Sequence, residues 1–278
     1  MSIFYYFLLY YIFYSLEINI ANILPRNCIA QCHFQMNFDD PIQRPLNCSQ
    51  QILSYTCVAR ITILYNTRQI FVYFRTTGLE HNANELTLYT IQQVSHIFQR
   101  NHSSYVILFA CIFADNCDWT YTHDIINRFT QINYTRMFNQ LKILLYDNSN
   151  TTVSKCYSQN DAIDCYNGIC SSIMLETTNE FINRSCTYSL NSNIGIDIRR
   201  YRAFPKLLDD DRNYDFYLCN RNLCNNPATE YSVQLIIQSY SSLLEIPEPS
   251  KSIASWRKGD TYYFIVIVLL LHFRLIYP

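Results

Sequence analysis

Apolar and polar positions alternate along the chain in three places, Arg60–Tyr65 (RITILY), Gln69–Phe74 (QIFVYF) and Ser104–Phe109 (SYVILF). Side chains of an extended segment point to opposite faces in turn, so each run predicts a half-buried β-strand. Thr76-Thr77-Gly78 supplies a turn after the second run. Helical spacing shows in one stretch, where Phe129, Ile132, Met137, Phe138, Leu141 and Leu144 fall loosely on one helix face. It ends in the polar cluster Asp147–Thr152, which reads as a boundary. At both ends of the chain the pattern gives way to unbroken apolar runs, Ile3–Tyr14 and Tyr262–Leu271.

The first run is as long as the apolar core of a secretory signal peptide and falls short of the ~20 residues needed to span a bilayer. A buried helix or strand is the alternative, but five tyrosines without helical or alternating polarity fit it poorly. With Ala21 as the best small-residue cleavage position, residues 1–21 are expected to be a signal peptide. Near the other end, Pro247 and Pro249 favour an extended stalk. Small residues, the spacer Trp256–Thr261 and the apolar run then follow in the order of a glycolipid-anchor signal, with Ser250 as the attachment residue and Ser252 next. The rival is a single C-terminal transmembrane helix reaching Tyr277, with His272 and Arg274 inside it. Either would tether the protein to a membrane.

Composition narrows the classes. A length of 278 residues leaves room for about two domains. Basic and acidic side chains number 21 and 22, which gives no electrostatic case for nucleic acid. The twelve cysteines all lie between Cys28 and Cys224, an even set that reads as disulfides formed in an oxidising compartment. The glycosylation triplets at Asn47, Asn101, Asn133, Asn150 and Asn183 agree with secretion.

Cys219-x4-Cys224-Asn225 resembles the closing signature of the three-finger domains of the lymphocyte-antigen and urokinase-receptor family. Before it stand Cys156, Cys165, Gly168, Cys170 and Cys186, so residues 155–226 carry the clearer likeness. Residues 22–125 resemble the pattern more distantly. Cys28, Cys32, Cys48 and Cys57 precede Cys111-x5-Cys117, with five residues in the closing loop and Asp118 where the family has Asn. The resemblance implies a mainly β, disulfide-rich architecture of two three-finger-like domains in tandem, with terminal hydrophobic segments. It also implies the pairs Cys28–Cys57, Cys32–Cys48, Cys111–Cys117, Cys156–Cys170, Cys165–Cys186 and Cys219–Cys224. Residues 126–154 would be a connector packed on the first domain, 227–261 a stalk and anchor-attachment region, and 262–278 the hydrophobic tail.

Gly168, one of four glycines, reads as a turn position with positive φ. Arg199, Arg200, Tyr201 and Arg202 form a compact basic and aromatic cluster. On an exposed finger it would suit a protein partner, although such charge runs are also commonly just solvated. Zinc at Cys28, Cys32 and His33 would need a second ligand pair and reduced thiols, so neither metal nor other cofactor is expected. No nucleophile elbow, phosphate loop or H-E-x-x-H motif is present. The expected function is a non-enzymatic cell-surface module on the extracellular side of the plasma membrane, binding a protein ligand or receptor. A disulfide-stabilised hydrolase and a structural or adhesion coat are the alternatives. Titration of the denatured, unreduced chain should find less than one free thiol; more than one would break the disulfide framework.

Overall fold

The three alternating runs become neighbours in the computed structural model, which describes residues 25–76, 88–111, 114–175, 181–188, 193–204 and 213–245. The strands, in chain order, are β1 (Arg26–Ile29), β2 (Cys32–Asn37), β3 (Gln51–Ser54), β4 (Cys57–Leu64), β5 (Gln69–Thr76), β6 (Leu88–Ile97), β7 (His102–Cys111), β8 (Val153–Ser158), β9 (Asp161–Leu175), β10 (Phe181–Thr187), β11 (Gly195–Phe204) and β12 (Tyr214–Cys219). The first and second runs form the β4–β5 hairpin, and the third is β7, antiparallel to β4 on its other side. One large antiparallel sheet has the order β10-β9-β12-β11-β6-β7-β4-β5-β2, with β8 added on β9; β1 and β3 pair separately.

The protein is therefore mainly β and disulfide-rich. Where two tandem domains were expected, its described residues all fall within one compact unit, and strands of both cysteine sets share the large sheet. Strand β6 carries the join, pairing with β7 on one side and with β11 on the other. Gly195 begins the β11 contact; a Cβ there would collide with the carbonyl of His96, so the backbones meet this closely only with glycine.

The helices are α1 (Cys117–Phe129), α2 (Thr135–Leu145), α3 (Pro227–Ser239) and α4 (Ser241–Leu244). The first two cover the sheet face that carries Ile61, Phe74, Tyr105, Ile107 and Phe109. Tyr121 stacks on Phe109 with ring centroids 3.7 Å apart, and Phe129 stacks on Tyr105 at 4.1 Å. Phe138 meets Phe98 and His96 edge-on. Residues 126–145 thus pack on the sheet face of the first cysteine set, whereas Asp147–Ser154 are held by the second through Asn220, Asn222 and β9. The helical structure starts before the expected connector, at Cys117, and breaks at 130–134.

Residues 227–244, expected as the start of a stalk, are helical. Asn226 caps α3 by accepting from the Thr229 N–H, and Pro227 sits at the first turn, where its missing donor costs nothing. Among the described residues no helix is long and apolar enough to cross a membrane. The signal segment, the prolines at 247 and 249, Ser250 and the apolar tail lie outside them.

Six disulfides join the pairs that the resemblance implies. Loops of these sizes gain ~3 kcal/mol per bridge in the chain-entropy account. Gly168 does not have the positive φ expected of it. Its constraint is space, because a Cβ would sit 2.6 Å from Cys165 Sγ and 2.7 Å from Cys186 Sγ. The left-handed turn falls on its neighbour Asn167, at φ 61°.

Helix α3 is fastened to the second half by a buried ion pair. Glu230, fully buried, accepts from Arg184 through both oxygens and from the Ser172 hydroxyl at 2.6 Å. Desolvating two charges is repaid only while both remain and their hydrogen-bonding sites are filled. Glu230→Ala should cost about 3–5 kcal/mol in denaturant unfolding, whereas Arg184→Met with Glu230→Leu should cost clearly less. Equal losses would mean that the stranded charge is not the cause.

Candidate functional site

Each cysteine set closes in the same way. In the first, Cys57 lies opposite Cys111 in the sheet, and their partners are Cys28 and Cys117. In the second, Cys170 lies opposite Cys219, and their partners are Cys156 and Cys224. Two disulfides thus lie side by side at each base, and a 13-residue helix follows each closing bridge. All twelve sulfurs are committed to disulfides, including Cys28 and Cys32 of the zinc reading, which belong to different bridges.

The residue after each closing cysteine ties the strands across the base. Asn225 accepts from the Tyr157 N–H at 2.8 Å and donates to the carbonyls of Tyr157 and Ser171 at 2.8 and 3.0 Å. Asp118 occupies the matching place and accepts from the Ile29 N–H at 2.9 Å and from the Trp119 N–H. Burial raises its pKa, opposed by those N–H groups and by the charge of Arg44. Within the second closing loop, Asn220 accepts from the Asp147 N–H and donates to the Asp147 and Asn150 carbonyls. Asn222 accepts from the N–H of Ser154 at 2.8 Å. The polar cluster 147–152 is therefore held to the base by asparagine side chains.

The basic cluster does not form one exposed finger patch. Arg199–Arg202 lies inside β11, a central strand, and alternation sends its side chains to opposite faces. Arg200 turns into the core and pairs with Asp215 at 2.6 Å, both being buried. Arg202 is on the Arg200 side of the strand, and both it and Arg199 are half-buried. Arg199 and Tyr201 share the sheet face opposite to the helices, where the Arg199 guanidinium lies 5.3 Å from the Tyr214 ring centre.

That face is the site the structure assembles from them. The strand register lines up His33, Tyr73, Arg60, Leu108, Ile91 and Tyr201 across six strands. A second row runs through Gln35, Phe71, Thr62, Val106, Gln93 and Arg199 to Tyr214. Phe71 and Tyr73 are 39% and 36% exposed, and Arg60, Arg75, His33 and Gln35 are exposed beside them. Aromatic rings among guanidinium groups suit recognition of a protein surface. The alternation of Gln69–Phe74 by itself predicts only a half-buried strand; its odd-numbered positions, Phe71 and Tyr73, could have signalled an outward aromatic pair, while only strand order could add Arg60 and His33 to it.

All five asparagines of the glycosylation triplets are exposed. Ser250 lies outside the described residues. No protein-family model matches the chain, and no curated protein matches it. Asn225→Asp keeps the acceptor for Tyr157 but sets a carboxylate against two carbonyls, so it should lower unfolding stability by about 1–3 kcal/mol. A neutral effect in denaturant titration would show that the side chain does not lock the base.

Proposed function

We propose that the chain is a membrane-tethered binding protein of the three-finger type, without catalytic activity, displayed on the extracellular side of the plasma membrane. It binds a protein partner, a ligand or a receptor, through the sheet face opposite to the helices. The observation that carries this reading is the double row on that face, in which aromatic, basic and amide side chains flank a short aliphatic stretch at Leu108, Ile91 and Val106, built by strands from both cysteine sets. The complete pairing of the cysteines supports an oxidising compartment. The apolar run Tyr262–Leu271 and the preceding spacer support a glycolipid anchor at Ser250, or failing that a C-terminal helix.

Two measurements on cells expressing the full chain test the reading. Phosphatidylinositol-specific phospholipase C should release the protein into the medium; retention with an intact C-terminus would favour the helix, and absence from the surface would overturn the tethering. A photo-cross-linking residue at Tyr73 should give one heterologous adduct, while the same residue at Tyr231, exposed on α3, should give none. A ladder of self-adducts from both positions would instead identify a coat protein.

A further inference from the structure

At the edge of the helical layer, three connections enclose a cleft of about 650 Å³, within the range of small-ligand sites. One wall is the β4–β5 turn, another is the β6–β7 turn, and the third is the stretch from Thr130 to Asn139 that leads from α1 into α2. A row of rings runs through it. Phe38 meets Tyr65 edge-on at 5.8 Å, and Tyr65 meets Tyr134 edge-on at 5.0 Å. Asn66, Arg68 and Gln131 add amide and guanidinium groups to the lining. An aromatic floor with an amide rim suits a pyranose ring, which has an apolar C–H face and equatorial polar groups.

Two of the five glycosylation triplets stand on this one cleft, at Asn101 and Asn133. Their amide groups are arranged alike. Asn101 Oδ1 accepts from Lys142 Nζ at 2.7 Å, and Asn133 Oδ1 accepts from the Thr135 N–H at 2.9 Å. In each the oxygen is engaged, and among the described residues the nitrogen that would carry a sugar has no partner. At two of the other three triplets that nitrogen is in use, donating to Asp147 Oδ2 at Asn150 and to the His33 carbonyl at Asn47. Asn183 stands on the edge strand β10, away from the cleft. Asn133 is the better placed of the two rim residues, because Tyr134 directly after it opens the row of rings.

We infer that Asn133 is a glycosylation site whose glycan folds back on the protein, with its N-acetylglucosamine core seated in this cleft. The inference rests on the secretory part of the proposed function. The first sugars lie against Phe38 and Tyr65, and their acetamido groups meet the amides of Asn66 and Gln131. The glycan then acts as a fourth wall, holding the α1–α2 connection to the β4–β5 turn.

The test uses the full chain purified from secretory cells. Glycopeptide mass spectrometry should find Asn133 occupied. Thr135→Ala, which abolishes the triplet while keeping Asn133, should lower the unfolding temperature by about 2–4 °C, and enzymatic removal of the whole glycan from the wild-type chain should do the same. Trimming to a single N-acetylglucosamine should preserve most of the difference. In Phe38→Ser, or in the milder Asn66→Ala should the first not fold, the glycan-dependent shift should fall by half or more. Occupied Asn133 with no thermal shift overturns the seat, as does a shift that both cleft variants leave intact. Empty Asn133 beside other occupied triplets overturns the inference and leaves the secretory reading standing, whereas five empty triplets overturn both.

Discussion

The pairing of β6 with β11 is the contact on which the rest of the structure depends. Ten residues of each strand are in register, from Gly195 opposite Ile97 to Phe204 opposite Leu88. Without it the chain would be two small cysteine-stapled units, each with a second sheet edge, β6 or β11, opened in addition to its outer one, a state that invites further strand pairing. With it, both halves share one sheet and one helical layer. The close approach at Gly195 sets where the register begins, and the buried Arg200–Asp215 pair lies beside the join. Both rows of the proposed binding face cross this seam, which brings Arg199, Tyr201 and Tyr214 of the second half into line with Phe71, Tyr73 and Arg60 of the first.

The two halves are variations on one plan. Each closes with a pair of adjacent disulfides, a polar residue reaching across the base and a 13-residue helix. The variation is chemical. Asn225 both accepts and donates, so it bridges three backbone groups, whereas a carboxylate at the equivalent place can only accept. Asp118 accordingly takes two N–H groups and is pushed toward its neutral form by burial. The extra residue in the first closing loop and the early start of α1 accompany that change.

Much of this was legible in the residues, and the misses have identifiable causes. β4, β5 and β7 showed themselves because their core positions are aliphatic or aromatic while their outward positions differ. β6 escaped because its core face reads Thr90, Gln92, Val94 and His96, polar groups that invert the usual alternation. His96 is tolerated there as a neutral ring, its pKa lowered to about 3 by burial and by the charge of His102, with Ser103 hydrogen-bonded to Nδ1. The Arg199–Arg202 run looked like a solvated finger for the same reason: a strand with one arginine turned into a buried carboxylate has no hydrophobic signature. Asn226-Pro227 is a good helix start, and the helix went unrecognised because α3 buries only Glu230, Val233 and Ile237, too sparse a stripe to stand out. The disulfide partners came from the family likeness, since spacing alone leaves many connectivities open.

The central claim is that the two cysteine sets form one cooperative unit through the β6–β11 seam. Pulsed hydrogen exchange with mass spectrometry through a urea titration, disulfides intact, tests it directly. Peptides covering β4 and β7 and peptides covering β9 and β12 should lose protection at one shared midpoint, together with β6 and β11. Two separated midpoints, with β6 following one half and β11 the other, would contradict the account.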